Sequence, residues 1–262
     1  MPFAAEPHET PDLSAGGAIG DKELTMQVIA KRKFFGQRDQ GTGRTFSNLA
    51  IEDCLFHWCT LSETVDLTKL ARVRDVEVRN CRLQHPVVVG PSVIRDVLVE
   101  NLEIQSELVC WHPLLWHVTL RGRIGRVRIE PYLCIEARYY KPAALLRAFE
   151  ISKRNFYNHV DWALDIREAQ VEALEIQGVP WNLIRRDPES QMFISRRIAD
   201  SPHWCDGISP ENYWIDYVEE RFMNQDIDRL LLVAPKAFPS EEYAKILHDL
   251  HELREAQLTE PD

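Results

Sequence analysis

Long apolar runs are missing from this chain: nothing in its 262 residues approaches the roughly 18 consecutive apolar residues of a spanning helix, which excludes a helical membrane anchor. Glycine is sparse, at 11 residues, and no Gly-rich phosphate loop or Rossmann fingerprint occurs, so the common nucleotide-cradling sites are excluded. G-x-S-x-G and H-E-x-x-H are absent as well, which removes the hydrolase elbow and the zinc-protease helix. Positive charge is the minority, with 31 Lys and Arg against 41 Asp and Glu, and the net charge of −10 disfavours general affinity for nucleic acid through phosphate contacts. No two of the cysteines Cys54, Cys59, Cys81, Cys110, Cys134 and Cys205 form C-x-x-C, and most sit in apolar stretches. The N-terminal stretch lacks a basic start with an apolar segment behind it, so residues 1–22 read as an acidic, disordered leader rather than a signal peptide. Together these absences predict a cytoplasmic protein with reduced thiols.

What is present is repetition. "VRDVEVRNCRL" starts at Val73 and "IRDVLVENLEI" at Ile94, 21 residues later. Val73, Asp75, Val76, Val78 and Asn80 align with Ile94, Asp96, Val97, Val99 and Asn101, and a second shift of 21 brings Val118, Leu120 and Gly122 into register. A finer step of five runs through Phe46, Ile51, Phe56 and Leu61, and again through Ile166, Val171, Ile176 and Trp181. Helices repeat at about 3.6 and flat strands at 2, so neither sustains a period of five. A chain that turns a corner after each short strand does. The reading is mainly β: a right-handed β-solenoid with coils of about 21 residues, four-sided or three-sided, with Val78, Val99 and Leu120 stacked inside.

The stretch "NLAIEDCLFHWCTL" resembles the pentapeptide-repeat proteins, in which a small residue or cysteine is followed two positions later by Leu or Phe; Cys54 with Phe56 and Cys59 with Leu61 match. The resemblance covers 46–125 and 164–181 and is interrupted at Glu107, Arg123 and Gly125. It implies a β-solenoid, and it implies one alternative function, since some acidic members mimic the charge of duplex DNA and occupy DNA-binding enzymes.

Stacking at 21 residues places Arg79, Glu100 and Arg121 in one column of alternating charge, with Arg82 over Glu103 beside it. Opposite charges on neighbouring strands hold register. A continuous negative column, which a DNA mimic needs, is thereby interrupted. Asn80, Asn101 and Gly122 form a column that tolerates positive φ, as a corner requires. Asp75, Asp96 and His117 form another. Either each aspartate caps its own turn, or the column is an acidic pair with a histidine suited to acid–base work, the weak catalytic candidate of a carbohydrate-active β-helix enzyme. Retaining glycosidases need two carboxyls about 5 Å apart. The N-T-D, G-H-G and R-I-K signatures of polysaccharide hydrolases do not occur. The pairs His57/Cys59, Cys110/His112 and His203/Cys205 have no second pair at a standard ligand spacing, so no metal and no cofactor are expected.

The organisation expected is a β-solenoid over 23–185 with a loop at 62–70 and a helical insertion near 141–157, where Pro142 suits the first turn. "LTMQVIAKRKFF" reads as a first strand or hairpin closing the N-terminal end. Residues 186–262 alternate strand, helix, strand and helix, with Ser209 and Ser240 as N-caps, and form a small α/β or α+β capping unit. Eight arginines, Arg121, Arg123, Arg126, Arg128, Arg185, Arg186, Arg196 and Arg197, are the candidate binding residues for an acidic surface on another protein. Taken together the sequence points to a non-enzymatic interaction or scaffold protein, working through a solenoid face or the C-terminal unit.

Overall fold

The computed structural model describes residues 26–133 and 143–260. Thirteen strands among them form one sheet. In chain order they are β1 (Gln27–Ala30), β2 (Lys33–Phe35), β3 (Thr45–Glu52), β4 (Leu55–His57), β5 (Thr60–Leu61), β6 (Ala71–Gln84) and β7 (Val87–Val89). There follow β8 (Ser92–Ile104), β9 (Leu108–Trp111), β10 (Pro113–Glu130), β11 (Leu164–Asp165), β12 (Ala169–Ile176) and β13 (Ile184–Arg185). The hydrogen-bonded order is β1-β3-β6-β8-β10-β9-β7-β5; β2 pairs β4, and β11 and β12 pair β10.

Pairing is parallel and follows the repeat. Val76 lies opposite Val97 and Val97 opposite Val118, while Val99 pairs Val78 on one side and Leu120 on the other. Val76, Val97 and Val118 are buried, and Val78 and Val99 are partly buried against the same core. Cys54 and Cys81 sit in this interior, where each thiol donates to backbone carbonyls and behaves as a small buried side chain.

The right-handed solenoid expected from the sequence does not form. β6, β8 and β10 are 14, 13 and 18 residues long and continue through the positions expected to be corners. At those positions the backbone is left-handed: Asp75 and Asn80 in β6, Asp96 and Asn101 in β8, His117 and Gly122 in β10. On either side of the left-handed residues of β6 and β8 the ladder resumes in register, as Val73 with Ile94, Val76 with Val97 and Cys81 with Leu102. Such a residue re-aims a strand without ending it, so the period of five records bends within strands and not the sides of a closed coil. The result is a large parallel sheet curled into a half-barrel, beside a small helical part. The coarser expectation of a mainly β protein holds.

The N-terminal segment makes no hairpin, because β1 pairs β3 and β2 pairs β4, both in parallel. The loop at 62–70 contains a 3-10 turn, Leu67–Lys69, capped by the Asp66 carboxylate. Helix α1 (Ala143–Tyr157) occupies the expected insertion, while Pro142 and Cys134 lie outside the described residues. α1 sets Phe156 and Tyr157 into the sheet's core and packs Phe149 with Leu70 and Leu133.

Beyond the sheet, β14 (Gln191–Ser195) pairs antiparallel with β15 (Arg229–Val233), accompanied by helices α2 (Arg196–Ala199), α3 (Tyr213–Asn224) and α4 (Ser240–Glu255). Strand alternation divides its side chains between two cores: Phe193 and Leu231 join the large sheet's core, while Met192, Ile194, Leu230 and Leu232 pack with the helices. Glu175 of β12 and Arg221 of α3 form a two-bond ion pair at 3.0 and 2.5 Å across this contact. The expected caps shift: Asn212, not Ser209, caps α3 by accepting from Trp214 N, and Ser240 is the first residue of α4 behind Pro239. No described helix is long and apolar enough to cross a membrane.

Candidate functional site

Bends repeated at the same register project their side chains side by side. Asp96 and His117 stand at φ 52° and 56° on the adjacent strands β8 and β10. Asp96 Oδ1 lies 3.0 Å from His117 Nδ1, and Asp161 Oδ1, from the segment before β11, lies 2.7 Å from Nε2. An ionised carboxylate only accepts hydrogen bonds, so the two aspartates bracket the His117 ring with acceptors on both of its nitrogens. The hydrogen bond from His117 holds the Asp161 carboxyl below its ordinary range.

Aromatic and guanidinium groups flank this cluster. Trp162 stacks on the His117 ring at 4.4 Å, and the Arg185 guanidinium lies 4.3 Å from the centre of Trp162. On the other side Arg95 sits 4.3 Å over Trp116 and donates to Asp96 Oδ2 at 2.9 Å. The order is Arg95–Trp116 beside Asp96–His117–Trp162–Arg185. Cation–π contacts and stacking together fix planar groups that would otherwise rotate freely.

This arrangement is poorly disposed to acid–base work. A general base needs an available lone pair, and both His117 nitrogens face carboxylates. Each Asp96 oxygen is also engaged, one by Arg95 and one by His117. Asp75 stands exposed on β6, at φ 53° and the same register, with β8 between it and His117.

The eight arginines are scattered rather than gathered. Arg121 binds Glu100 at 2.9 Å, Arg128 binds Glu107 at 2.8 Å, and Arg126 approaches Glu172 at 3.6 Å. Arg186 donates to the Gln191 carbonyl, and Arg196 donates to the carbonyls of Gln225 and Ile227. Arg123 and Arg197 are exposed. Arg185 alone of the eight adjoins the His117 cluster. Glu100 lies between Arg79 and Arg121, and the bond from Arg121 chiefly lowers its pKa.

The three Cys/His pairs diverge. Cys59 points into the core while His57 stacks on His85 at 4.5 Å. Burial pushes the Cys110 thiol up to about 12, and neighbouring His112 is buried with Nδ1 2.8 Å from the Pro131 carbonyl oxygen. His203 faces Asp206. Among the described residues no three His, Cys, Asp or Glu side chains converge as a metal site would need.

Sequence reasoning missed Asp161, Trp162 and Trp116. Asp161 and Trp162 lie 44 and 45 residues after His117, outside the period of 21, because α1 intervenes in the chain. No spacing signal marks them. No protein-family model, no curated protein and no solved structure matches the chain.

Proposed function

We propose that this is a non-enzymatic binding protein that engages another protein through the bend column centred on His117. One observation carries the reading: Asp96, His117, Trp162 and Arg185 form a pre-ordered stack at the surface, with Trp162 half-buried and Arg185 exposed. Trp and Arg dominate the energetics of protein interfaces, and side chains held rigid before binding lose less entropy on contact. The alternating column Arg79–Glu100–Arg121 favours a protein partner over mimicry of duplex DNA, which needs unbroken negative charge. The buried, unbridged Cys54, Cys59 and Cys81 accord with a reducing cytoplasm. The reading requires no cofactor.

The test is capture from native lysate with identification by mass spectrometry, comparing the unaltered protein with Trp162→Ala/Arg185→Ala. Loss of one partner with an unchanged melting temperature is expected. Equal capture by both proteins overturns the proposal.

A further inference from the structure

A second surface, at the other end of the sheet, points to a different mode of recognition. We propose that the edge made by β1 and β2 takes up an extended acidic peptide of a partner protein as an added strand. β1 is the terminal strand of the sheet order, and β2 pairs β4 alone among the described strands. The β12 side differs, because β15 of the C-terminal unit lies against β12 and Phe193 and Leu231 join the sheet's core. An edge strand turns a row of backbone N–H and C=O groups outward, which another extended chain can pair.

Charge selects the chain that can do so. Lys31, Arg32, Lys33 and Arg38 are exposed, and none forms an ion pair with a described carboxylate. From Gln27 to Arg38 there is no acidic residue, in a protein of net charge −10. Four arginines of the inner strands, Arg79, Arg82, Arg121 and Arg128, are by contrast each paired with glutamate. Lysines on an edge deter pairing with a second copy by like-charge repulsion. The same repulsion becomes attraction for an acidic strand.

Side-chain direction narrows the peptide further. Phe34 turns inward and stacks on Phe56 at 5.0 Å, which pins β2 and sends Lys33 and Phe35 outward together. Phe35 is 55% exposed, and Trp58, also 55% exposed and stacked on His85, stands one strand in. An added strand therefore meets Lys33 and Phe35 on one face, which fits an acidic and an apolar residue two positions apart. A nucleic acid could use the cations and the rings but would leave the backbone edge unpaired, so the peptide is favoured.

The experiment uses the full chain and a fluorescent peptide with Glu and Val alternating on one face and Thr on the other, followed by anisotropy. Lys31→Glu/Lys33→Glu/Arg38→Glu is expected to weaken binding about tenfold or more, with circular dichroism and melting unchanged. N-methylating alternate amides of the peptide, which keeps its charge but removes edge hydrogen bonds, is expected to weaken binding comparably. Equal binding by the reversal variant, or by the N-methylated peptide, overturns the proposal, as does tighter binding of oligothymidine than of the peptide. Peptide binding seen only after residues 1–22 are removed would assign the edge to the chain's own acidic leader and also overturn it. Should the reversal variant fail to fold, Phe35→Ser takes its place, with weakened binding expected and unchanged binding overturning.

Discussion

His112 is buried at 4% exposure, gives its Nδ1 proton to Pro131 O and leaves Nε2 without a partner among the described residues, the pattern of a neutral imidazole. Burial is the main cause that lowers its pKa. With the folded value below the unfolded value of about 6.5, the unfolded chain binds more protons in between. Stability from this residue is therefore complete above about pH 6.5 and is lost as pH falls towards the folded value, by at most about 1.4 kcal/mol per pH unit. Denaturant titrations at a series of pH values should show this slope, and His112→Asn should reduce it. The aspartates of the bend column differ in the same way that their partners differ. Asparagine tolerates the left-handed backbone, so Asp75→Asn should change stability by less than about 0.5 kcal/mol. Asp96→Asn also removes the carboxylate that is paired with Arg95 and bonded to His117, and at this half-exposed site should cost up to about 1 kcal/mol in the same titrations.

At the scale of elements, the strands approach so closely at some positions that only glycine fits. A Cβ on Gly90 would stand 2.1 Å from the backbone oxygen of Ser62, a fully buried residue whose hydroxyl is tied to the Pro91 carbonyl. Gly90→Ala should cost about 3 kcal/mol or more. Gly36, at φ 60° on the open edge, has nothing within 4 Å of such a Cβ, so Gly36→Ala should cost only about 1–2 kcal/mol of backbone strain. Urea midpoints of the two variants check the contrast. The period of five was legible because each left-handed residue sits beside inward apolar positions, as Asn48, Asp53 and Trp58 do five apart. Whether those bends close a coil was not legible. That depends on how far each bend turns the strand, and the residue types Asn, Asp, His and Gly do not encode an angle.

Across the whole molecule, the alternation in β14 and β15 links the C-terminal unit to the sheet. Phe193 and Leu231 face one core while Ile194 and Leu232 face the other, so neither core is complete without this two-stranded layer. Phe193→Ala should therefore cost about 3–5 kcal/mol and lower a single shared melting transition in calorimetry. Two separate transitions, with only one shifted, would show that the cores unfold independently.

The sequence by itself determined the parallel register, since residues 21 apart carry matching side chains and Val76, Val97 and Val118 pair accordingly. It also determined the buried stripe of α3, Trp214, Val218 and Phe222, through helical spacing. Only the tertiary structure decided that the strands bend without closing into coils, because the ladder's cooperativity carries hydrogen bonding past each left-handed residue. Only it, too, brought Asp161 and Trp162 onto His117 across the excursion through α1. Periodicity reports the neighbours a chain meets at a constant step; contacts made after an irregular excursion leave no period to read.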